Sequence, residues 1–280
     1  MTGIYFDIDD TLYSRRELLL RAARDTAKDP AAVCGEIQSP EEDLFIEIFY
    51  RYGDENYPLV VTGEITPWES NVMRFVKTLR HLGIEASDAD GEAFANRYTY
   101  LQEHMEMSEE LHSMMRELSV CSGVRLGVIT NGASKFQWKK YRTLGLDAYI
   151  AENMVLVSGD LGISKPEPGI FRAGEERMGL NPEDLWMVGD SVKHDIRGAK
   201  ACGWHTLWLR RNEKPAGGAE AAGGAEPVHG AAPAGCVKLA GGAEPADGAE
   251  PACGMESDLS ADSEREMCRL LLGIASKLAN

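Results

Sequence analysis

Over the first 211 residues, short unbroken apolar runs alternate with helical patterns, and no other feature constrains the fold as strongly. The runs are GIYFDI (3–8), VRLGVIT (124–130), MVLV (154–157), LWMVG (185–189) and HTLWL (205–209). A strand wetted on one face alternates apolar with polar residues, whereas a strand buried on both faces stays apolar throughout, as in a parallel sheet covered by helices. Between the later runs, SKFQWKKYRTLG (134–145), PGIFRAGEERMG (168–179) and HDIRGAKACG (194–203) each end in Gly, the residue favoured just past a helix C-terminus. The expected fold class is α/β, a Rossmann-like parallel sheet core built from βαβ units.

The spacing between the first two runs is different. Residues 14–120 hold no strong strand pattern but several amphipathic helices: RRELLLRAARDTAK, EEDLFIEIFYRYG, TPWESNVMRFVKTLRHLG, DADGEAFANRYTYLQEHMEM and SEELHSMMRELS. Thr66, Pro67 and Glu69 carry the capping-box pattern with Pro at the first helical position. A helical block inserted after the first strand reads as a cap domain over the strand C-termini, where open α/β sheets bind ligands. The core is then assigned to 1–13 and 121–211, and 14–120 to a helical cap with a helix connecting it to the core.

Past Arg211 the composition changes abruptly. Lys214–Asp258 contains 10 Gly, 5 Pro and 13 Ala in 45 positions, and AGGAEPVHGAAPAGC (222–236) is echoed by AGGAEPADGAEPACG (240–254). Such a tract has too few large apolar residues to offset its chain entropy, so 212–258 is expected to be a low-complexity linker. The remainder, 259–280, reads as a C-terminal helix. Ser260 and Ser263 are candidate caps, and Met267, Leu270, Leu271, Ile274 and Leu278 form one apolar face for docking on the core.

A formal charge of −16 excludes generic nucleic-acid coating. No run approaches the roughly 18 apolar residues of a membrane span. The N-terminus enters GIYFDIDD without a basic n-region, and the six cysteines lack a CxxC pair, so a cytoplasmic location with reduced thiols is expected.

Chemistry-bearing residues stand at the strand ends. The first run leads into Asp7, Asp9, Asp10 and Thr11, and two carboxylates that share a strand face ask for a cation or a proton. The second ends in Thr130, Asn131 and Gly132, whose hydroxyl and amides suit a phosphoryl oxygen. Lys165 lies in the loop after the third run, and Asp190 and Asp195 follow the fourth. Each alone fits an ordinary turn, cap or surface role. Together, at one sheet edge, they supply a nucleophile, an oxyanion contact, a charge clamp and a metal box.

The ordered set DIDDT, TNG, SKP and GDSVKHD resembles the haloacid dehalogenase superfamily of aspartate-nucleophile phosphatases over roughly residues 1–211. The resemblance implies that Asp7 attacks phosphorus, that Asp9 acts as general acid and base, that Thr130 binds the transferring phosphoryl group and that Lys165 balances charge; Thr130, Asn131 and Lys165 are the substrate-binding candidates. It implies Mg2+ held by Asp7, the Asp9 backbone carbonyl and Asp190, with Asp195 in support. The insertion resembles a helical C1 cap. Oxygen ligands from aspartate suit Mg2+, and a dianionic ester needs that cation and Lys165 before a carboxylate can approach it. An acid form of Asp9 is expected from its anionic neighbour. The tract at 212–258 departs from the family pattern.

The expected activity is Mg2+-dependent hydrolysis of a small phosphorylated metabolite through a phospho-aspartate. Nucleoside monophosphates and sugar phosphates are both open as substrates. Cap residues Arg15, Arg16, Arg51, Tyr52, Trp68, Arg97, Tyr98 and His104 are candidates for the leaving-group side. A phosphomutase, a 2-haloacid dehalogenase and a non-catalytic binding protein are the alternatives. Asp9 disfavours the dehalogenase, which needs neither that residue nor Mg2+.

Overall fold

A computed structural model of the chain describes residues 1–35, 39–211 and 257–278. Its strands are β1 (Thr2–Phe6), β2 (Val124–Thr130), β3 (Val155–Val157), β4 (Leu185–Gly189), β5 (His205–Leu209) and β6 (Leu259–Ala261). They form one sheet in the order β3-β2-β1-β4-β5-β6, with every neighbouring pair parallel. β1 lies centrally and is buried along its whole length, because it pairs on both sides and is covered on both faces. Phe6 is level with Val128 of β2 and Val188 of β4, so Asp7, Thr130 and Asp190 emerge at the same C-terminal edge.

The inserted block contains α1 (Arg15–Thr26), α2 (Pro30–Cys34), α3 (Pro40–Thr62), α4 (Pro67–His81), α5 (Asp88–Glu103) and α6 (Glu109–Val120). The first five have an apolar core of their own, which includes Leu19, Phe45, Phe49, Phe75, Phe94 and Tyr98. Phe75 and Phe94 stack at 4.1 Å, an arrangement worth about 0.5–1.5 kcal/mol beyond its buried area. Both Arg16 and Arg24 on α1 pair with buried Glu42 of α3. The capping box on α4 is formed, with Thr66 and Glu69 bonding each other's backbone amides. α6 belongs with the sheet instead: Leu111, Met114, Met115 and Leu118 are buried against β2 and its neighbours.

The remaining helices are α7 (Ser134–Thr143), α8 (Ser158–Leu161), α9 (Pro168–Met178), α10 (Arg197–Ala201) and α11 (Glu264–Leu278). Two segments differ from the sequence expectation. Residues 194–203 were expected as one helix, but Val192–Ile196 is a π-helical turn that precedes α10. Ser191 accepts from both Asp195 and Ile196 through its carbonyl, and this wider turn aims Asp195 back at the sheet edge.

The chain from 259 does not start as a helix. Asp258 accepts from the Thr206 amide at 2.8 Å and pairs with Lys200, which lays Leu259–Ala261 beside β5 as β6. Ser260 is therefore a strand residue, whereas Ser263 caps α11 by accepting from Glu266. Met267 and Leu271 of α11 are buried, and Leu270 and Ile274 pack at the margin of the same core. The Leu278 side chain and residues 212–256, most of the expected linker, lie outside the described residues.

Candidate active site

β1 stops at Phe6, and the sequence that follows folds as a tight turn. Asp10 takes the left-handed conformation at φ 57°, and its carboxylate accepts from the Arg15 amide at 2.8 Å and pairs with the Arg15 guanidinium. Arg211 donates to the carbonyls of Asp10 and Thr11 and pairs with Glu264 of α11 at 2.5 Å. The turn is thereby tied to both the cap and the C-terminal helix.

Within the edge, Asp7, Asp190 and Asp195 each present a carboxylate oxygen, all within 4.8 Å of one another. Lys165, 3% exposed, donates to Asp7 Oδ1 at 2.7 Å, to Asp195 Oδ1 at 2.6 Å and to the Ile129 carbonyl at 2.9 Å. Asp7 Oδ2 accepts no hydrogen bond from the described residues. Asp195 Oδ2 accepts from the Ser191 amide at 3.0 Å. An ideal Cβ on Gly189 would fall 2.2 Å from that oxygen, so only glycine lets the strand pass beneath the carboxylate.

Three clustered carboxylates, two of them paired with one ammonium, leave an excess of negative charge. Burial pushes the pKa of Asp7 up, Lys165 opposes that rise, and the charges of Asp195 and Asp9 add to it. Asp190 is raised for the same reasons, burial first and then its acidic neighbours. Lys165 is held above its ordinary value, because Asp195 and Asp7 outweigh the cost of burying its charge. A hard, oxygen-seeking divalent cation fits this donor set and relieves the repulsion without protonating the carboxylates.

Asp9 has an environment that the sequence did not suggest. Lys140 Nζ lies 2.6 Å from both of its carboxylate oxygens, Gln137 Nε2 donates at 3.1 Å, and the Tyr13 hydroxyl donates as well. Burial alone would raise its pKa, but Lys140 and Arg15 outweigh burial and hold it well below the carboxylate range. The expected acid form is thus corrected: this Asp9 is ionised, because its nearest charges are cations and not Asp7. Asp7 and Asp9 do not share a strand face, since the strand ends before them and each carboxylate meets its own lysine.

Thr130 is fully buried, and its hydroxyl has no hydrogen-bond partner among the described residues, a deficit that costs about 1–3 kcal/mol when nothing fills it. The Asn131 side chain is committed to Lys165, donating to its carbonyl and accepting from its amide, both at 2.9 Å. Asn131 is in this way a positioning residue for the lysine. Its own carbonyl accepts from Gln137 at 2.9 Å.

Of the cap candidates, half-buried Arg15 pairs with Asp10, and buried Tyr98 feels the charges of Arg15, Asp10 and Asp9. The others have partners elsewhere: Arg16 with Glu42 and Asp43, Arg51 and Tyr52 with His81, Trp68 with Asn96, Arg97 with Asp25, and His104 with Tyr100. Sequence reasoning missed Tyr13, Gln137, Lys140 and Arg211, which contact Asp9 or the turn that follows it. Gln137 and Lys140 carried a usable signal, since residues three apart on a helix that starts at the sheet edge share one face.

Three comparisons bear on this geometry. The profile for haloacid dehalogenase-like hydrolases matches residues 1–203. The glyceraldehyde 3-phosphate phosphatase of Pyrococcus furiosus is 30% identical over 215 residues, 74% of this chain and 80% of that protein. The human N-acylneuraminate-9-phosphatase is 27% identical, over 75% of this chain and 83% of its own. Among solved structures, the putative HAD-hydrolase YfnB of Bacillus subtilis bound to magnesium aligns with TM-score 0.51 and 25% identity, covering 76% of this chain and 89% of that one. With its sheet order, its acidic edge and these similarities, the chain belongs to the haloacid dehalogenase-like hydrolases.

Proposed function

We propose that the protein is a Mg2+-dependent phosphatase of small phosphate monoesters that works through a phosphorylated Asp7. The observation that carries this reading is the carboxylate trio Asp7, Asp190 and Asp195, two of whose members pair with Lys165, beside a buried Thr130 hydroxyl without a partner among the described residues. Asp7, Asp190 and the Asp9 backbone carbonyl would hold the cation, with Asp195 in support. When bound, it supplies charge neutralisation and fixes a phosphoryl oxygen.

Asp7 attacks phosphorus through Oδ2, the oxygen that Lys165 leaves open, and the ester oxygen departs with a proton from Asp9. Thr130 donates its hydroxyl to a phosphoryl oxygen, and Lys165 offsets the charge that gathers there. Asn131 keeps Lys165 in place. In the second half-reaction Asp9 takes a proton from water, the oxygen of that water attacks phosphorus, and inorganic phosphate leaves with the Asp7 carboxylate restored. Asp9 is already set for this second task. To serve as acid in the first, it must leave Lys140, and the Asp10–Arg15 link makes cap movement a route for that.

The substrate class in this proposal is a phosphorylated metabolite and not nucleic acid, in keeping with the net charge of −16. Among the described residues, no helix is long and apolar enough to cross a membrane. A cytoplasmic location belongs to the proposal, supported by free thiols at Cys121, Cys202 and Cys268. The test is phosphate release from a panel of small phosphate esters. Turnover is expected with Mg2+, loss with EDTA and poor replacement by Ca2+, whose larger shell tolerates misdirected geometry. Full turnover in EDTA, or hydrolysis of no ester, would refute the reading.

A further inference from the structure

The sheet edge accounts for the phosphoryl group and leaves the other end of the substrate without a contact. On the cap side, α1, α3, α4 and α5 each contribute one polar side chain to a single cluster: Arg15, Tyr50, Arg74 and Tyr98. Contacts lead outward from the active-site turn. Arg15 pairs with Asp10 at 3.1 Å, and its guanidinium carbon lies 5.2 Å from the centre of the Tyr50 ring. The neighbouring Phe49 carries the Arg74 guanidinium 3.9 Å over its ring, and Tyr98 meets the same ring edge-on at 6.4 Å. Burial raises the Tyr98 pKa, and the charges of Arg15, Arg74, Asp10 and Asp9 also act on its phenol.

Two of these groups are incompletely used by the protein. Tyr98 is 5% exposed, and its hydroxyl makes no hydrogen bond to a described residue. Arg74 donates to the Phe49 carbonyl at 3.2 Å and to Asn71 Oδ1 at 3.3 Å. It has no carboxylate at ion-pairing distance among the described residues, and Asp54, whose charge reaches it, is exposed. Asn71 is buried and Gly53 lies against the guanidinium, so the side chain is held in place without a counter-ion.

Charge and geometry decide what such a site takes. Arg15 is neutralised by Asp10, which leaves the cluster one positive charge on Arg74. A guanidinium and a phenol that both pack against the Phe49 ring could meet a carboxylate through two N–H donors and one O–H donor. A phosphate dianion would call for a second cation, and a neutral alcohol would leave the arginine charge unpaired.

We propose that Arg74 and Tyr98 form a subsite for a carboxylate on the leaving group, which makes the substrate class the phosphate monoesters of small hydroxy acids. This rests on the phosphatase reading above. The test pairs 3-phosphoglycerate with glyceraldehyde 3-phosphate, the same carbon skeleton with and without the carboxylate. The expected preference in kcat/KM for the acid is on the order of tenfold or more. In Arg74→Gln that ratio falls towards one, and Arg74→Lys recovers part of it. Calorimetric binding of both esters to Asp7→Asn in Mg2+ reads the same preference without turnover. Equal use of the two esters by the wild type, or an unchanged ratio in Arg74→Gln, overturns the subsite. Preferential binding of 3-phosphoglycerate with no turnover of any ester would overturn the phosphatase reading and leave the subsite standing.

Discussion

Replacing Lys165 with Met separates the electrostatics of the site from its chemistry. Lys165 is 3% exposed and its ammonium satisfies Asp7, Asp195 and the Ile129 carbonyl, while Asp190 lies in the same carboxylate group. Methionine fills similar volume but leaves buried carboxylates without their cation, and breaking such a pair costs about 3–5 kcal/mol. In a chain of this size each kcal/mol lowers the unfolding midpoint by roughly 2–4 °C. The deficit has a predicted pH dependence. Without Lys165 the Asp7 pKa rises further above its unfolded value, so the folded protein binds more protons than the unfolded chain, and stability falls as pH rises. With the wild-type Asp7 pKa itself pushed up to about 7, both proteins hold that proton at lower pH, so between pH 4 and pH 9 the Asp7 part of the loss is smallest below pH 7 and grows above it. Mg2+ offsets it, by about 2.7 kcal/mol at a hundred times its dissociation constant. Urea unfolding of both proteins across this pH range, in EDTA and in Mg2+, measures each part. A variant as stable as the wild type in EDTA at pH 8, or one indifferent to Mg2+, would refute the reasoning.

Replacing 212–256 with about 15 Gly and Ser residues should leave kcat and KM unchanged and add roughly 1 kcal/mol of stability, from about 0.6 kcal/mol per halving of loop length; a folded but inactive product would contradict the tether reading. Asp258→Asn should loosen β6. The Asp258 pKa is lowered because the Thr206 amide and Lys200 outweigh burial, so its contribution is present above the unfolded value near 4 and lost as pH falls below it. Melting curves of wild type and variant should then differ at pH 7 and converge near pH 3. Trp68→Ala and Arg97→Ala should leave substrate ratios unchanged, because Asn96 and Asp25 already engage those side chains.

Much of the sheet was legible because strands buried on both faces read as nearly continuous apolar runs. The runs at 124–130, 185–189 and 205–209 coincide with β2, β4 and β5. β6 was not legible: Leu-Ser-Ala is short, has a polar residue at its centre, and is defined by the hold of Thr206 on Asp258 and not by its own pattern. The π-helical turn was missed for a similar reason, since its geometry follows from where Asp195 must point. At the site, motif spacing brought out the residues at strand ends, which the fold gathers at one edge. Lys140 on α7 and Arg211 after β5 lie far apart in sequence and touch the site only through tertiary packing. The charge state of Asp9 could not be read without Lys140, because the sequence displays its acidic neighbours and not its spatial ones.

The division of labour between Asp7 and Asp9 is the central claim, and one measurement addresses it most directly: pre-steady-state release of phenol from a reactive aryl phosphate by Asp9→Asn. That leaving group needs no proton, so Asp7 should still be phosphorylated in this variant, while attack by water becomes slow. The account predicts a burst near one phenol per enzyme, then slow turnover, with phosphate trapped on a hydroxylamine-labile residue. Asp7→Asn should give no burst and no trapped phosphate. A folded, Mg2+-binding Asp9→Asn protein without a burst, or phosphoryl-enzyme in Asp7→Asn, would contradict the account.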